Sequence, residues 1–261
     1  VSVGAPIIGL GSASTRLNIR SQEIGAIADG FKEVIIGELN GGSGIVQVGD
    51  LGPNTRDLGS FSAPAVLNAT TIVGGTVNVG YADNDLFTGG FDSRVNIDPS
   101  AEFIRFKALN SGGSGNVTIN APINFWPVER NAWVRIEAND DVVVNREIYT
   151  TERISITAGY TDGTGDVFIN SNDPDTGDTT PINGFLQTTA TDALTDTDAA
   201  MERIEIAAGE SGGSIMIDDE DGSTTITADP ADPNSVITLW AESGTITQTG
   251  GLITSELLTI E

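Results

Sequence analysis

Residues 133–150 read WVRIEANDDVVVNREIYT and contain three short strand-like units in succession. In the first, residues 134–138, Val, Ile and Ala alternate with charged residues, which is the period of a half-buried strand. The second, residues 141–145, begins with Asp and ends with Asn, and the third, residues 147–149, is centred on an Ile. Because Asn and Asp favour turns, this stretch predicts three strands separated by corners.

The same three units recur along the chain. Units of the form apolar, any, apolar, any, Ala begin at Ile104, Val134, Ile154, Ile204 and Ile237, with a weaker copy at Thr224. Second units follow at 115–120, 141–145, 165–170, 213–218 and 244–247, and four of these five end in Asn or Asp. Third apolar positions occur in 122–125, 147–149 and 251–253. Repetition in a constant order predicts an all-β, three-sided solenoid.

The spacing of the first units indicates coils of about twenty residues. Units at 134 and 154, 204 and 224, and 237 and 258 are 20, 20 and 21 residues apart, whereas other steps are 30, 50 and 13. Insertions at corners explain the longer steps, so we interpret 171–200 as a missing coil plus an acidic excursion. The 13-residue step fits poorly and indicates one misassigned strand. A β-sandwich is the alternative, but it gives no reason for strands to repeat in this order.

We expect residues 1–261 to form one continuous solenoid. Residues 1–100 are less regular and include a short predicted helix near 21–29, with Ser21 as its cap and Gly30 at its end. Residues 101–261 form regular coils, with the acidic insertion near 171–200. The final residues, 258–261, match the first four positions of the repeated unit, and the chain starts at Val1. Both ends therefore suggest a piece of a longer product.

The charge of the chain restricts its partners. It has 37 acidic and 12 basic residues, a net charge of −25, and after Ile154 its only basic residue is Arg203. A polyanion repels nucleic-acid phosphate and anionic lipid, and no apolar stretch is long enough to span a bilayer. We therefore expect neither nucleic-acid binding nor membrane insertion. High acidity without Cys suits a protein outside the cell.

Catalytic and metal-binding residues are not evident. The chain contains no His and no Cys, which excludes imidazole-based metal hydrolysis, thiol nucleophiles and a Ser-His-Asp triad. Carboxylates in the acidic runs 173–178 and 218–222 could bind Ca²⁺, but neither run has the ligand order of a known calcium loop. We interpret both runs as solvated corner loops and predict no catalytic, cofactor-binding or metal site.

Several phrases resemble a bacterial family. NVTINAPINF at 116–125, residues 133–148, and SGTITQTGGLITSELLTIE at 243–261 are similar to repeats of filamentous-haemagglutinin-type surface proteins. EIGAIADGF at 23–31 resembles a segment of large haemagglutinin-like proteins of cyanobacteria and related bacteria. The resemblance covers roughly 15–50 and 100–261 and is loose over 51–100. It implies a right-handed parallel β-helix in a secreted, cell-surface bacterial protein.

Two non-enzymatic functions follow from these features. In the first, the segment is a rigid β-helical stalk of a surface adhesin, with cell-surface glycans or proteins as ligands and flanking repeats as neighbours. In the second, it is an extracellular fibre or sheath component in which copies stack end to end, because solenoid ends present unpaired strand edges. A polysaccharide-active β-helix enzyme is the less favoured third reading, since bases are scarce.

Overall fold

The computed structural model of the chain describes its residues in short stretches separated by gaps. These are 7–10, 17–19, 33–37, 43–48, 69–79, 95–97, 103–110, 115–120, 123–125, 133–161, 163–170, 186–188, 203–218, 225–228 and 234–261. Within them the fold is all-β, with no helix.

The strands, numbered β1 to β23 in chain order, form three sheets. The nine-stranded sheet has the spatial order β2 (Leu17–Ile19), β1 (Ile7–Leu10), β4 (Ile45–Val48), β6 (Thr76–Val79), β9 (Val117–Ile119), β12 (Val142–Val144), β15 (Val167–Asn170), β18 (Ile215–Asp218) and β21 (Ile246–Gln248). The six-stranded sheet has the order β22 (Leu252–Thr254), β19 (Thr225–Thr227), β16 (Leu186–Thr188), β13 (Ile148–Thr150), β10 (Ile123–Phe125) and β7 (Val95–Ile97). The eight-stranded sheet has the order β23 (Leu257–Ile260), β20 (Val236–Trp240), β17 (Arg203–Ala207), β14 (Arg153–Thr157), β11 (Trp133–Ala138), β8 (Phe103–Ala108), β5 (Ala69–Gly74) and β3 (Val34–Gly37).

All strand pairs in the three sheets are parallel. From β8 onward the chain visits the eight-, nine- and six-stranded sheets in turn, so each strand lies beside the equivalent strand of the next circuit. Parallel strands stacked in this way are the arrangement of a β-solenoid.

The register of the eight-stranded sheet confirms the predicted first units. Val134 lies opposite Ile104 on one side and Ile154 on the other. The same row continues through Ile204 and Ile237 to Leu258. Up to Ile237 these side chains are completely buried, while the residue that follows each of them in its strand is half-buried on the outer surface. The aliphatic positions of successive coils therefore stack into one core, which also receives the inward positions of the other two sheets.

Residues 224–228 were predicted to be a weak first unit, and this prediction is wrong. β19 pairs with β16 and β22 in the six-stranded sheet, and Ile226 lies opposite Leu186 and Ile253. The segment is thus a strand of the six-stranded sheet, which accounts for the 13-residue step in the spacing. Its Thr-Ile-Thr sequence alternates like a first unit, and alternation alone does not identify the sheet.

The interpretation of 171–200 as including a missing coil is also wrong. β14 pairs directly with β17, so Arg153 lies opposite Arg203 with no strand between them. The intervening chain supplies β15 and β16, which complete a single circuit. The long step therefore arises from long connections within one coil. The helix predicted near 21–29 and the acidic run 173–178 lie outside the described residues.

A row of side chains stabilises the corner between the eight- and nine-stranded sheets. Asp166 N–H donates to Asp141 Oδ1 at 2.9 Å, and Ser214 N–H donates to Asp166 Oδ1 at 2.6 Å. Asp141 N–H donates to Asn116 Oδ1 at 3.3 Å, and Thr245 N–H donates to Ser214 Oγ at 3.2 Å. Each coil thus satisfies a backbone donor of the next, and such groups are costly to leave unpaired.

Glycine is required beside this row because the backbones of successive coils approach closely. A Cβ on Gly165 would overlap the carbonyl oxygen of Asp140 in the coil before it. Only a residue without a side chain allows that approach. The Gly that leads several second units is therefore a packing requirement of the stack.

The last described coil leaves core positions uncovered. Leu258 and Ile260 are 44% and 60% exposed, whereas their register partners Ile237 and Leu239 in the preceding coil are 0% and 1% exposed. The side chains occupy equivalent positions in β20 and β23. The exposure differs because β23 covers β20, whereas no described strand covers β23.

Candidate functional site

The outward side chains of β8, β11, β14 and β17 form a surface that we call the cationic face. Its charged members are Arg105, Lys107, Arg135, Glu137, Arg153, Arg203 and Glu205. The register brings them together, since Arg105 lies opposite Arg135 and Arg153 lies opposite Arg203. Five of the 12 basic residues of the chain are therefore on one face of one sheet.

Glu137 is the centre of one cluster on this face. Arg105 Nε donates to Glu137 Oε2 at 2.8 Å, its Nη2 also donates to this oxygen, and Lys107 Nζ lies 3.5 Å from it. Arg135 Nη2 lies 2.6 Å from Oε1, as an ion pair without hydrogen-bond alignment. Although Glu137 occupies an outward position, its side chain is 0% exposed. A buried carboxylate requires such compensation, and these three cations supply it.

Glu205 is the centre of the second cluster. It accepts hydrogen bonds from Arg153 Nη2 on the neighbouring strand and, at 2.9 Å, from Arg203 Nη1 on its own strand. These side chains are about a third exposed, so this pair of contacts is more solvated than the Glu137 cluster.

Aromatic rings support the basic side chains. The Phe103 and Trp133 rings meet edge to face at 4.9 Å, and the Arg153 guanidinium lies 5.2 Å from the centre of the Trp133 ring. Lys107 Nζ lies 4.4 Å from the centre of the Tyr160 ring. Cation–π contacts of this kind hold the charged groups in place above the sheet.

The charge of the cationic face is opposite to that of the whole chain. Five positive and two negative side chains leave an excess of three positive charges, although the chain carries a net charge of −25. Chemically, the arrangement is suited to holding anionic groups. Composition did not predict this positive surface, because the net charge is a sum over the whole chain.

Sequence patterns predicted that these residues point outward but not that they form a site. Reading the variable positions of the apolar, any, apolar, any, Ala units, together with the residue before each unit, would have revealed the basic residues of this face. Predicting the cluster around Glu137 requires the register, because Arg105 and Lys107 come from the preceding coil.

Among the residues that the structure describes, no group of three or more His, Cys, Asp or Glu side chains could hold a metal ion. Of the acidic run at 218–222, only Asp218 lies within the described residues; it accepts a hydrogen bond from Thr249 Oγ1 at 2.7 Å. In the same part of the chain no helix is long and apolar enough to cross a bilayer.

Comparisons with known proteins leave the family open. The chain matches no protein-family model, no curated protein and no solved structure.

Proposed function

We propose that the chain is a non-enzymatic structural segment of a secreted bacterial surface adhesin, in which a right-handed, three-sided parallel β-helix forms a rigid stalk. The proposal rests on one observation above all: equivalent aliphatic side chains stack in register from Ile104 to Ile237 along the eight-stranded sheet. A core built from nearest-neighbour contacts extends as far as coils are added, which suits a stalk.

Two further features support the finer geometry. The chain visits three sheets in turn, which favours three sides per coil. Parallel strands joined by crossovers are almost always right-handed, because a right-twisted strand allows the chain to return to the sheet only in that sense.

Extracellular location and attachment to a bacterial surface are supported by the resemblance of residues 116–125, 133–148 and 243–261 to haemagglutinin-like repeats. The strong acidity and the absence of Cys agree with a protein that stays dispersed outside the cell without disulfides.

A second candidate function is an extracellular fibre in which copies stack end to end. The parallel pairing of each coil with the next favours it, because the same contacts can join the coils of two copies.

Electron microscopy of the purified chain tests both functions. The stalk predicts monodisperse short rods, and regular filaments formed by this segment alone would contradict it. If filaments form, Ile260→Lys should abolish them by placing a charge at the uncovered end. Thr161→Lys, which adds the same charge at an exposed position away from that end, is the matched control and should leave them intact.

A further inference from the structure

The cationic face presents four arginines in two register rows that run along the stack. Arg105 lies opposite Arg135 in one row, and Arg153 lies opposite Arg203 in the other, which passes through Trp133 two residues before Arg135. Arg105, Arg135, Arg153 and Arg203 lie on four consecutive strands of the eight-stranded sheet. Neighbouring strands are about 4.8 Å apart, so the four strands span roughly 14 Å along the stack, and the two rows are roughly 7 Å apart along the strand direction. A linear polyanion laid along the stack and passing from the first row to the second would therefore meet one guanidinium for each coil that it crosses.

The field at this surface is local. Salt at physiological concentration screens charges over about 8 Å, so a ligand lying on the face responds to the three excess positive charges more than to distant carboxylates. The net charge of −25 reduces the rate at which any polyanion approaches, but it does not cancel contacts made at the face.

Carboxylate is the anion that these side chains already bind. Both clusters are organised around a carboxylate, Glu137 in one and Glu205 in the other. Arg135 and Arg153 remain 36% and 33% exposed, so their guanidinium groups are accessible to solvent as well as to these acids. A guanidinium has five N–H donors, which is more than either arginine uses within its cluster.

A polysaccharide suits the face better than a folded protein partner does. Protein interfaces depend on apolar anchors inserted into pockets. Here the rings of Phe103 and Trp133 already pack against each other, with Arg153 beside them. The other outward positions of the four strands are charged or carry hydroxyl groups, apart from the small Ala207. A polymer with regularly spaced charges needs no such anchor.

We propose that the cationic face binds a linear polyuronate, a polysaccharide with carboxylate groups along its chain, aligned with the stack. The inference rests on the proposed role in surface attachment, to which it adds a ligand class and a binding surface.

The test is binding of the full chain to immobilised polygalacturonate, measured by biolayer interferometry. Arg135→Gln and Arg153→Gln should each weaken binding by about tenfold, the loss expected for one charge-assisted contact. Arg146→Gln is the matched control: it removes the same charge between β12 and β13, outside the cationic face, and should bind like the unmodified chain. Thermal melting identifies any variant that is unfolded, in which case Arg203→Gln replaces it.

Four results would overturn the inference. They are absence of binding by the unmodified chain, equal losses for Arg146→Gln and Arg135→Gln, tighter binding to dextran sulfate than to polygalacturonate, and equal binding to neutral dextran. Self-association that is lost in Arg135→Gln without any polysaccharide would assign the face to a second copy instead. Rods in the microscope without polyuronate binding would overturn this inference alone and leave the stalk function intact.

Discussion

The burial of Glu137 depends on residues from the neighbouring coil. Its place in the alternation of β11 predicts a solvent-facing side chain, and it does point outward, yet it is fully buried beneath Arg105, Lys107 and Arg135. Two of these cations belong to the preceding coil. Alternation along one strand was therefore sufficient to predict direction, whereas burial depends on residues about thirty positions away.

Removing the Glu137 charge should be costly. Glu137→Gln leaves three cations close together without their common counterion, so we expect a loss of about 3 kcal/mol in the free energy of unfolding. Urea denaturation followed by circular dichroism measures it. Glu205→Gln is the control, because that carboxylate is partly solvated, and its loss should be about 1 kcal/mol or less. Similar losses in the two variants would mean that burial of Glu137 has no special energetic role.

The adjacent residues Ser155 and Ile156 test the direction of side chains in β14. Ile156 is 1% exposed between Ile136 and Ile206, so Ile156→Asp should cost more than about 3 kcal/mol by placing a charge in the core. Ser155 is half-buried on the outer surface, and Ser155→Asp should leave the melting temperature nearly unchanged. Equal destabilisation would contradict the assigned faces.

At the level of elements, the corners were easier to predict than the bonds that hold them. Gly, Asn and Asp between apolar units indicated turns, as the structure confirms. The pairing of an Asp141 oxygen with the Asp166 N–H was not predictable, because the partners are 25 residues apart and meet only through stacking. In the six-stranded sheet, β16 was not predicted and β19 was assigned to the wrong sheet, since each is three residues long with a single fully aliphatic residue.

The corner row makes a specific prediction at Asp166. Asp166→Ala removes the acceptor of the Ser214 N–H and should destabilise the chain by about 1 to 2 kcal/mol. Asp166→Asn keeps an acceptor oxygen at the same place, as Asn116 does for Asp141, and should be close to neutral. Chemical denaturation of the two variants separates hydrogen bonding from charge. If the Asn variant is as unstable as the Ala variant, the hydrogen bond is not the stabilising feature.

At the scale of the whole molecule, the repeating order of units predicted the parallel stack, and the irregular spacing predicted coils with insertions. Register steps in the eight-stranded sheet are 30 residues from Ile104 to Val134, 20 to Ile154 and 50 to Ile204. Connections of different length leave the strands in register because each coil is held by its neighbours and not by the length of its loops. Sequence spacing is therefore a poor guide to the number of coils, while residue chemistry at equivalent positions is a good one.

The stack can be tested directly by disulfide formation across β15 and β18, which lie on either side of the acidic insertion. The chain has no Cys, so introduced pairs report without background. Phe168 and Met216 are register partners on adjacent strands, about 4.8 Å apart, within the range that a disulfide spans. Val143 is one strand further away, roughly 9.6 Å from Met216, which is too far.

Mild oxidation followed by mass spectrometry should therefore find an intramolecular disulfide in the Phe168→Cys/Met216→Cys variant and none in the Val143→Cys/Met216→Cys control. The control keeps the Met216 substitution and changes only the distance. Failure of the first pair to form a disulfide in the folded chain, or ready formation in the second, would contradict a stack in which β15 and β18 are adjacent strands of successive coils.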